Sequence, residues 1–372
     1  MNLKILYRIL LISVIALMIL GSAEVLSASS IISLMKYDSY YHLFTSHLYK
    51  VLIALVALIF FSFLPYEFYR MQSKKLILSV VVLLVVTLFV ARNLNGAGRW
   101  LNLYAFSFQP SELAKFVLLM HLAFLLEEKG DEIKNYKKGF IYPLTWVLIV
   151  AGLIIIQPNV SVSLIIIIVS FTMLFISGAK IIHLSGSLLA LSGIAAVVML
   201  NMRHAYERMA TYINSLINGG HINIQVFQAK IALGSGWWYG IGIGQSRQSD
   251  LFLPEPYGDF IFSIVGEEFG FIGTAAVLCI YLMIFFIGII VAKNAKDKFG
   301  QLLAFGISFT IILSAFINAA VVTGIFPTTG IPLPFISYGG TSIIFTCAAT
   351  GIIVNIAVSS YKAKVARAEI KK

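Results

Sequence analysis

The chain has 372 residues, of which 59% are hydrophobic and only 12% are charged. Soluble domains are about 45–50% apolar and about 25% charged, so this composition excludes a water-soluble globule. The formal net charge of +11 would point to nucleic acid in a soluble protein. In a membrane protein it reflects basic residues that collect on the cytoplasmic side, and we expect no nucleic-acid partner.

Ten apolar segments are long enough to cross a bilayer, which requires about 20 mostly apolar residues. The sequence therefore predicts an all-α polytopic membrane protein with about ten transmembrane helices, near 7–27, 47–66, 75–91, 110–127, 140–157, 160–178, 181–201, 262–292, 301–323 and 340–360. The first segment also has features of a signal peptide, because Lys4 and Arg8 precede its apolar run. We favour a retained first helix, since its removal would leave an odd number of spans.

The basic residues predict the orientation of these helices. With the N-terminus in the cytoplasm, eighteen of the 27 Lys and Arg residues fall on the cytoplasmic side and eight on the outer side. This asymmetry follows the positive-inside rule. We therefore expect a multi-pass protein with both termini in the cytoplasm.

Two connections stand out, and both lie on the predicted outer side of a single membrane domain, 1–372. Residues 201–260 are expected to form a large loop between the seventh and eighth helices. Residues 324–340, rich in proline and glycine, are expected to form a packed or re-entrant loop. Such irregular backbone survives at membrane depth only where protein buries it or where it lines a wet cavity.

The fourth predicted helix carries two charged residues, Glu112 and Lys115. At i and i+3 they share a face of the helix and can pair. Charge within a membrane is costly and is a functional candidate by default. The two residues either form an internal ion pair that locks the helix or line a polar cavity, and the sequence does not separate these alternatives.

The eighth predicted helix carries a polar stripe. If the helix begins near Asp259, Ser263 and Glu267 fall on its face by the 3.6-residue period. Glu268 points nearly opposite Glu267, so we expect one of the two to meet another helix. Asp259 is either an acid that caps the helix or a functional carboxylate at the membrane boundary.

The predicted outer loop contains a glycine-rich segment, 234–248, whose backbone N–H groups could face an anion. Its aromatic residues, 237–239, could equally lie at the lipid interface. Basic residues available to an anionic ligand on this side are Arg203, Arg208, Lys230 and Arg247. The histidines do not cluster, so no zinc site is predicted.

Four segments together resemble the SEDS family of bacterial cell-wall polymerases, which includes RodA, FtsW and SpoVE. They are N-G-A-G-R-W with F-Q-P-S-E at 95–100 and 108–112, Q-V-F-Q with G-S-G within 225–236, L-P-E with D-F-I-F and G-E-E within 253–268, and G-I-P-L-P-F-I-S-Y-G-G at 330–340. The resemblance spans almost the whole chain. Departures from the family's usual residues occur at Gly98, Trp237, Ile241 and Gly258. The short segment 242–248 is most similar to the division type, FtsW.

The resemblance implies a peptidoglycan glycosyltransferase that polymerises lipid II into glycan strands at the outer face of the bacterial inner membrane, during cell division. Asp259 matches the family's essential aspartate, and is expected to act as a general base, as a ligand of a divalent cation (Mg²⁺ or Mn²⁺), or as both. Supporting residues of the cavity would be Glu112, Lys115, Ser263 and Glu267. Further candidates for pyrophosphate or sugar contacts are Arg203, Arg208, Gln225, Gln228, Lys230, Ser235, Arg247 and Ser337.

The partners implied by the resemblance are lipid II, a class B penicillin-binding protein that cross-links the glycans, and other division proteins. Three alternatives remain open at this point. The chain could be a lipid II flippase, an elongation-type polymerase like RodA, or a scaffold for which Asp259 would not be required. An inverted repeat with paired broken helices would favour the transporter.

Overall fold

The computed structural model describes residues 3–91, 98–103, 106–201, 203–218, 223–250 and 252–370. Within these ranges the structure describes only the backbone at 102–103, 106, 194–201, 203–205, 218, 367–368 and 370. The described residues form twelve α-helices and a two-stranded β-ribbon. The ribbon pairs β1 (Leu101–Leu103) with β2 (Phe106–Phe108) in antiparallel register and leads into the fourth helix.

The helices follow the long apolar runs of the sequence, because in lipid the backbone must satisfy its own hydrogen bonds. They are α1 Leu3–Tyr37, α2 His42–Phe63, α3 Tyr66–Val90, α4 Pro110–Lys129, α5 Ile141–Ile156, α6 Val160–Ile176, α7 Ile181–Asn201, α8 Arg203–Asn218, α9 Ile224–Gly236, α10 Ile261–Asn294, α11 Lys298–Val322 and α12 Gly340–Ile370. Each of the ten predicted spans coincides with one of α1–α7 or α10–α12, so the all-α polytopic fold is confirmed. The segment expected to be a loop, 201–260, contains two further helices, α8 and α9.

Seven helices of the described part are long and apolar enough to cross a membrane. They are α1, α2, α3, α5 with the turn before it, α10, α11 and α12. Helix α6 and the apolar part of α7 are shorter. Helix α4 differs because Glu112, Lys115 and Glu127 lie along it. Its first two charged side chains are nevertheless buried, which places this helix inside the bundle.

The bundle has two unlike ends. At one end α4, α10 and α12 begin, and the β-ribbon, α8, α9 and the segment 323–339 gather there; we call it the site end. The opposite end is held by polar contacts between helices. There Arg70 pairs with Glu127 at 2.9 Å, and the Tyr66 hydroxyl donates to Asp297 at 2.8 Å.

Helix α10 is broken at Gly270, whose backbone is left-handed (φ 69°, ψ −166°). The amide groups freed by the break donate to the turn that follows α9, from Phe271 to Trp237 O at 2.7 Å and from Ile272 to Trp238 O at 3.2 Å. Protein therefore satisfies the irregular backbone at this depth, as a lipid environment requires.

The segment 323–339 is irregular but buried. Leu333 is 1% exposed and Ile336 is fully buried. The backbone of Ile336 packs so closely on α1 that a Cβ at Gly21 would lie 2.5 Å from the Ile336 Cα atom. The Tyr281 hydroxyl of α10 donates to the Pro334 carbonyl. The segment therefore packs between α1 and α10, next to the turn that precedes α10.

Candidate functional site

Asp259 lies in the turn before α10 and is partly exposed. Helix α10 begins at Ile261 with Phe260 in the capping position, and no side chain caps it. The interpretation of Asp259 as a helix cap is therefore wrong, because the helix starts two residues later than the carboxylate. The side chain is free to take part in a site.

The backbone of this turn is fixed by two neighbouring elements. The Asn318 side-chain amide of α11 donates to Asp259 O at 2.7 Å and to Ile331 O at 2.8 Å. The Ser337 hydroxyl donates to Gly258 O at 2.9 Å. Ser337 was predicted to contact substrate, but its proton is used to hold the turn. These bonds fix the backbone from which the Asp259 carboxyl projects.

Gly330 lies directly beside that carboxyl. A Cβ at this position would be 3.4 Å from Asp259 Oδ2, and the backbone of Gly330 is left-handed (φ +73°). Only glycine adopts this conformation at little cost. The segment 323–339 therefore approaches the carboxyl with its backbone rather than with a side chain.

Charged neighbours set the pKa of Asp259. Burial raises the pKa of this carboxyl to about 6, and the negative charge of Glu255 contributes to the rise. Arg99 and Arg208 oppose it by favouring the ionised form. At pH 7 the carboxylate is thus mostly ionised, with a pKa close to the working pH, as suits a general base.

Arg99 is a site residue that the sequence did not single out, although it lies in the N-G-A-G-R-W motif. Burial lowers the pKa of its guanidinium, Arg208 lowers it further, and Asp259 opposes the change. Arg99 lies just before the β-ribbon, which is at the site end of the bundle. It therefore reaches the site although it precedes Asp259 by 160 residues in the chain. The N-G-A-G-R-W motif was the sequence signal for Arg99. Its proximity to Asp259 could be inferred only from the fold.

A cavity of about 330 Å³ lies between α8, α9 and residues 324–328, and this last segment leads directly to Gly330 beside the Asp259 carboxyl. Arg208 and Lys230 are its cationic residues among those described. Lys230 lies against Gly324, where a Cβ would be 2.6 Å from the Lys230 Nζ atom. Because the charge of Arg208 acts on Asp259, the cavity and the carboxyl belong to one electrostatic site.

Other residues predicted to contact substrate do not line this cavity in the part of the chain that the structure describes. Gln225 and Gln228 lie on α9, partly buried and outside the lining of the cavity. The Arg247 side chain is exposed. Arg203 belongs to α8, but its side chain is outside the described residues. The structure therefore brings Arg208 and Lys230 to the cavity, whereas Gln225, Gln228 and Arg247 lie outside its lining.

Glu267 is buried and organises the turn between α9 and α10. Its carboxylate accepts hydrogen bonds from the Ser235 hydroxyl at 3.3 Å and from the backbone N–H groups of Arg247 and Gln248 at 3.2 Å each. A carboxylate that accepts several donors is well satisfied in a dry interior. Glu267 and Ser235 thus hold the glycine-rich segment onto α10.

Glu268 faces α1, where it accepts a hydrogen bond from the Ser27 hydroxyl. This contact agrees with the expectation that one of the two glutamates meets another helix. The Ser263 hydroxyl, placed by the sequence on the polar stripe, donates to its own helix at Phe260 O, 2.7 Å away. Serine in a helix commonly bonds to a preceding carbonyl in this way.

The expected contact between Glu112 and Lys115 is present. The Lys115 Nζ atom lies 3.1 Å from Glu112 Oε2, with the residues 6% and 3% exposed. Beside them, the Asn159 side-chain amide donates to the Ser111 hydroxyl at 3.1 Å. Helix α4 therefore starts at the site end with a compact polar patch inside the bundle.

Within the described residues, no three His, Cys, Asp or Glu side chains come close enough to hold a metal ion together. The acids at the site are Asp259 and Glu255, which lie in the same turn. Magnesium is usually held by one or two carboxylates together with phosphates of the substrate. The donor set therefore suits a divalent cation that binds jointly with a pyrophosphate.

The order and spacing of these elements match a known family. A model of the family of cell cycle proteins FtsW, RodA and SpoVE matches residues 7–362. The chain belongs to the FtsW/RodA/SpoVE family. The resemblance given by the four sequence motifs is thereby confirmed over nearly the whole length.

Individual relatives support the same assignment. A probable peptidoglycan glycosyltransferase FtsW from Trichlorobacter lovleyi is 33% identical, over 94% of this chain and 92% of that one. Stage V sporulation protein E from Bacillus subtilis is 35% identical, over 94% of this chain and 96% of that one. A chain of a peptidoglycan synthase complex is similar in fold, with a TM-score of 0.77 and 24% identity over 95% of this chain and 98% of that one.

Proposed function

We propose that this protein is a peptidoglycan glycosyltransferase that polymerises lipid II into glycan strands. Family membership supports this activity, as do relatives named for it. The observation that carries the proposal is the position of Asp259. It is a partly buried carboxylate with a pKa of about 6, beside two arginines and a cavity of about 330 Å³.

The reaction joins two lipid-linked sugars. The growing glycan on undecaprenyl pyrophosphate is the donor, and the 4-hydroxyl of the N-acetylglucosamine of lipid II is the acceptor. The hydroxyl oxygen forms a bond with the donor anomeric carbon, while the bond from that carbon to the pyrophosphate oxygen breaks. Asp259 takes the hydroxyl proton, because it is ionised at neutral pH and its pKa lies near the working pH.

Negative charge develops on the departing pyrophosphate, and cations placed in advance lower the barrier. Arg99 and Arg208 supply such charge next to Asp259. Lys230 supplies a further cation in the cavity. A Mg²⁺ or Mn²⁺ ion held by Asp259 and Glu255 would neutralise additional phosphate charge.

The site end faces the outside of the bacterial inner membrane in this proposal, and both termini lie in the cytoplasm. The excess of basic residues at the opposite end supports this orientation. A class B penicillin-binding protein that cross-links the product is the expected partner, together with other division proteins. Relatives named FtsW support a division role, and the similarity to stage V sporulation protein E of Bacillus subtilis supports a related role in sporulation as the alternative.

Lipid II translocation is the second candidate, and the broken helix α10 favours it, because discontinuous helices are typical of transporters. However, the backbone groups freed at Gly270 bind the turn after α9 rather than facing a cavity. An RodA-like elongation role and a pure scaffold are weaker alternatives, since neither has a particular contact in its favour.

Synthesis from purified lipid II in detergent separates these functions. The protein would be combined with its transpeptidase partner, whose active-site serine is removed, in the presence of Mn²⁺ or Mg²⁺. We expect long glycan strands, and we expect chelation of the metal to reduce the yield. Absence of glycan from a folded sample that moves labelled lipid II across vesicles would establish the flippase instead.

A further inference from the structure

Helix α8 divides its polar and apolar side chains more cleanly than the other described helices do. At 100° per residue, its apolar side chains fall within about a third of the helix circumference. This stripe, which we call the α8 apolar stripe, comprises Tyr206, Met209, Ala210, Ile213 and Ile217. Leu216 lies at its edge and lines the cavity of about 330 Å³. It is open in the structure, with Tyr206, Ile213 and Ile217 exposed by 51%, 45% and 74%.

The opposite face of α8 faces the rest of the protein. Glu207, Thr211 and Ser215 lie on that face and line the cavity of about 330 Å³. The Tyr212 hydroxyl donates to Ile325 O, which joins the helix to the segment 323–339. Tyr206, Ile213 and Ile217 therefore face away from the cavity and remain exposed in the structure.

The position of α8 along the chain identifies what covers the stripe. Helix α7 ends at Asn201 and α8 begins at Arg203, so α8 starts where an apolar helix leaves the bundle at the site end. Its sixteen residues carry a fully polar face, which excludes a membrane crossing. A strongly amphipathic helix of low overall hydrophobicity is typical of a helix that lies in the membrane interface.

The elements that follow α8 present similar groups. Helix α9 exposes Phe227 and Ile231 by 46% and 40%, and the turn after it exposes Trp237 and Tyr239 by 75% and 83%. Tryptophan and tyrosine concentrate at the boundary between lipid tails and water. The site end therefore meets the bilayer through exposed apolar and aromatic groups on three successive elements.

We propose that α8 is an interfacial helix whose apolar stripe is buried in the lipid leaflet at the site end. The stripe would lie about 5–10 Å into the boundary between headgroups and acyl chains. Its polar face would form the wall of the cavity on the side of the lipid surface. The bilayer would then fix the height of Arg208, whose charge acts on Asp259. This inference concerns placement in the membrane and does not depend on the proposed enzymatic activity.

Spin labels test the proposal directly. Single cysteines would replace Ile213 or Ile217 on the stripe, and Thr211 or Ser215 on the cavity face, in a chain with Cys279→Ala and Cys347→Ala. The labelled protein would be placed in nanodiscs of phosphatidylethanolamine and phosphatidylglycerol. Collision of each label with oxygen, which concentrates in lipid, would be compared with collision with a water-soluble nickel chelate.

We expect labels at 213 and 217 to collide more with oxygen than with the chelate, at shallow depth, and labels at 211 and 215 to show the reverse preference. Access of the chelate to 213 and 217 would overturn the proposal, because the helix would then lie in water. Depth at the bilayer centre would overturn it in favour of an inserted helix. Shielding of 213 and 217 from both reagents would overturn it in favour of a second copy of the chain.

Discussion

At the residue scale, burial and three charged neighbours set the pKa of the Asp259 carboxyl. Burial and Glu255 raise the pKa of Asp259, while Arg99 and Arg208 lower it, and the balance is about 6. A lone acid in the same space would remain protonated to a higher pH and would be a poorer base at neutral pH. The two arginines therefore serve both the base and the leaving pyrophosphate in the proposed reaction.

The pH dependence of polymerisation follows from this balance. The base must be ionised, so the rate should fall as the pH is lowered through about 6. In Arg99→Gln, one of the two charges that lower the pKa of Asp259 is lost, so the acid limb should move to higher pH. Initial rates of glycan synthesis between pH 5 and 9 would measure the acid limb of the wild type and that of Arg99→Gln.

Lys36→Gln provides the matched control, because Lys36 also lies at the site end of its helix but does not contribute to the pKa of Asp259. Its acid limb should coincide with that of the wild type. An Arg99→Gln limb at the wild-type position, or a shift to lower pH, would contradict the electrostatic assignment.

The sequence identifies Asp259 through its motif but cannot reveal the role of its neighbours. Arg99 reaches the site only because α3 ends at the same end of the bundle at which α10 begins. Ser263 lies on α10 as predicted, and Ser337 was predicted to contact substrate, but both hydroxyl protons go to backbone carbonyls. A hydroxyl's partner depends on local backbone geometry, which the pattern of residue types does not contain.

Close backbone contact between α9 and α10 is the main feature at the element scale. A Cβ at Gly236 would lie 1.9 Å from Gly266 O, and a Cβ at Gly240 would lie 2.0 Å from Glu268 O. Neither carbonyl can move without disturbing α10. These glycines thus hold the turn after α9 against the break at Gly270.

Gly236→Ala should therefore destabilise the protein and separate α9 from α10. Overpacking of this kind typically costs about 1–3 kcal/mol and can cost more where the obstructing atom is backbone. Thermal unfolding in detergent should show a lower midpoint, and glycan synthesis should fall because the glycine-rich turn loses its support.

Gly234→Ala is the control two residues away on the same helix. No atom lies within 4 Å of its added Cβ. The free energy of unfolding should therefore rise by about 0.5–1 kcal/mol, because alanine loses less backbone entropy than glycine on folding. An unfolding midpoint for Gly236→Ala equal to that of Gly234→Ala would contradict the close packing.

A helix can be predicted from the sequence when its formation depends little on contacts with other segments. The ten apolar helices are visible in the sequence because each carries its own hydrophobic signal. Helix α8 was missed, although Tyr206, Ile213 and Ile217 recur at helical spacing, because it lies in a segment expected to be irregular. Helix α9 and the break at Gly270 depend on contact between segments and have no local signal.

At the scale of the whole molecule, the two ends of the bundle have different roles. One end is closed by ion pairs such as Arg70–Glu127, and the other collects the site. Basic residues predict which end faces the cytoplasm, and apolar length predicts the spans. Assembly of the site from the ribbon, α8 and the turn before α10 required the fold, because these segments are far apart in the chain.

Labelling with a membrane-impermeant maleimide tests the proposed orientation. In a chain with Cys279→Ala and Cys347→Ala, Arg247→Cys should react in intact spheroplasts, because its side chain is exposed at the site end. Lys134→Cys, at the opposite end, should react only after lysis. The reverse pattern would contradict an outward-facing site.

Glycan synthesis by Asp259→Asn tests the central claim most directly. The pKa of the Asp259 carboxyl is raised in the folded state, so its ionisation lowers the stability of the fold as the pH rises through about 6. The uncharged amide should therefore unfold at the same or a higher temperature at pH 7.5. Asp250→Asn, which removes an exposed acid from the same segment between α9 and α10, is the matched control. We predict long glycans from the wild type and from Asp250→Asn, and none from a folded Asp259→Asn. Normal polymerisation by Asp259→Asn would show that the reacting base lies elsewhere.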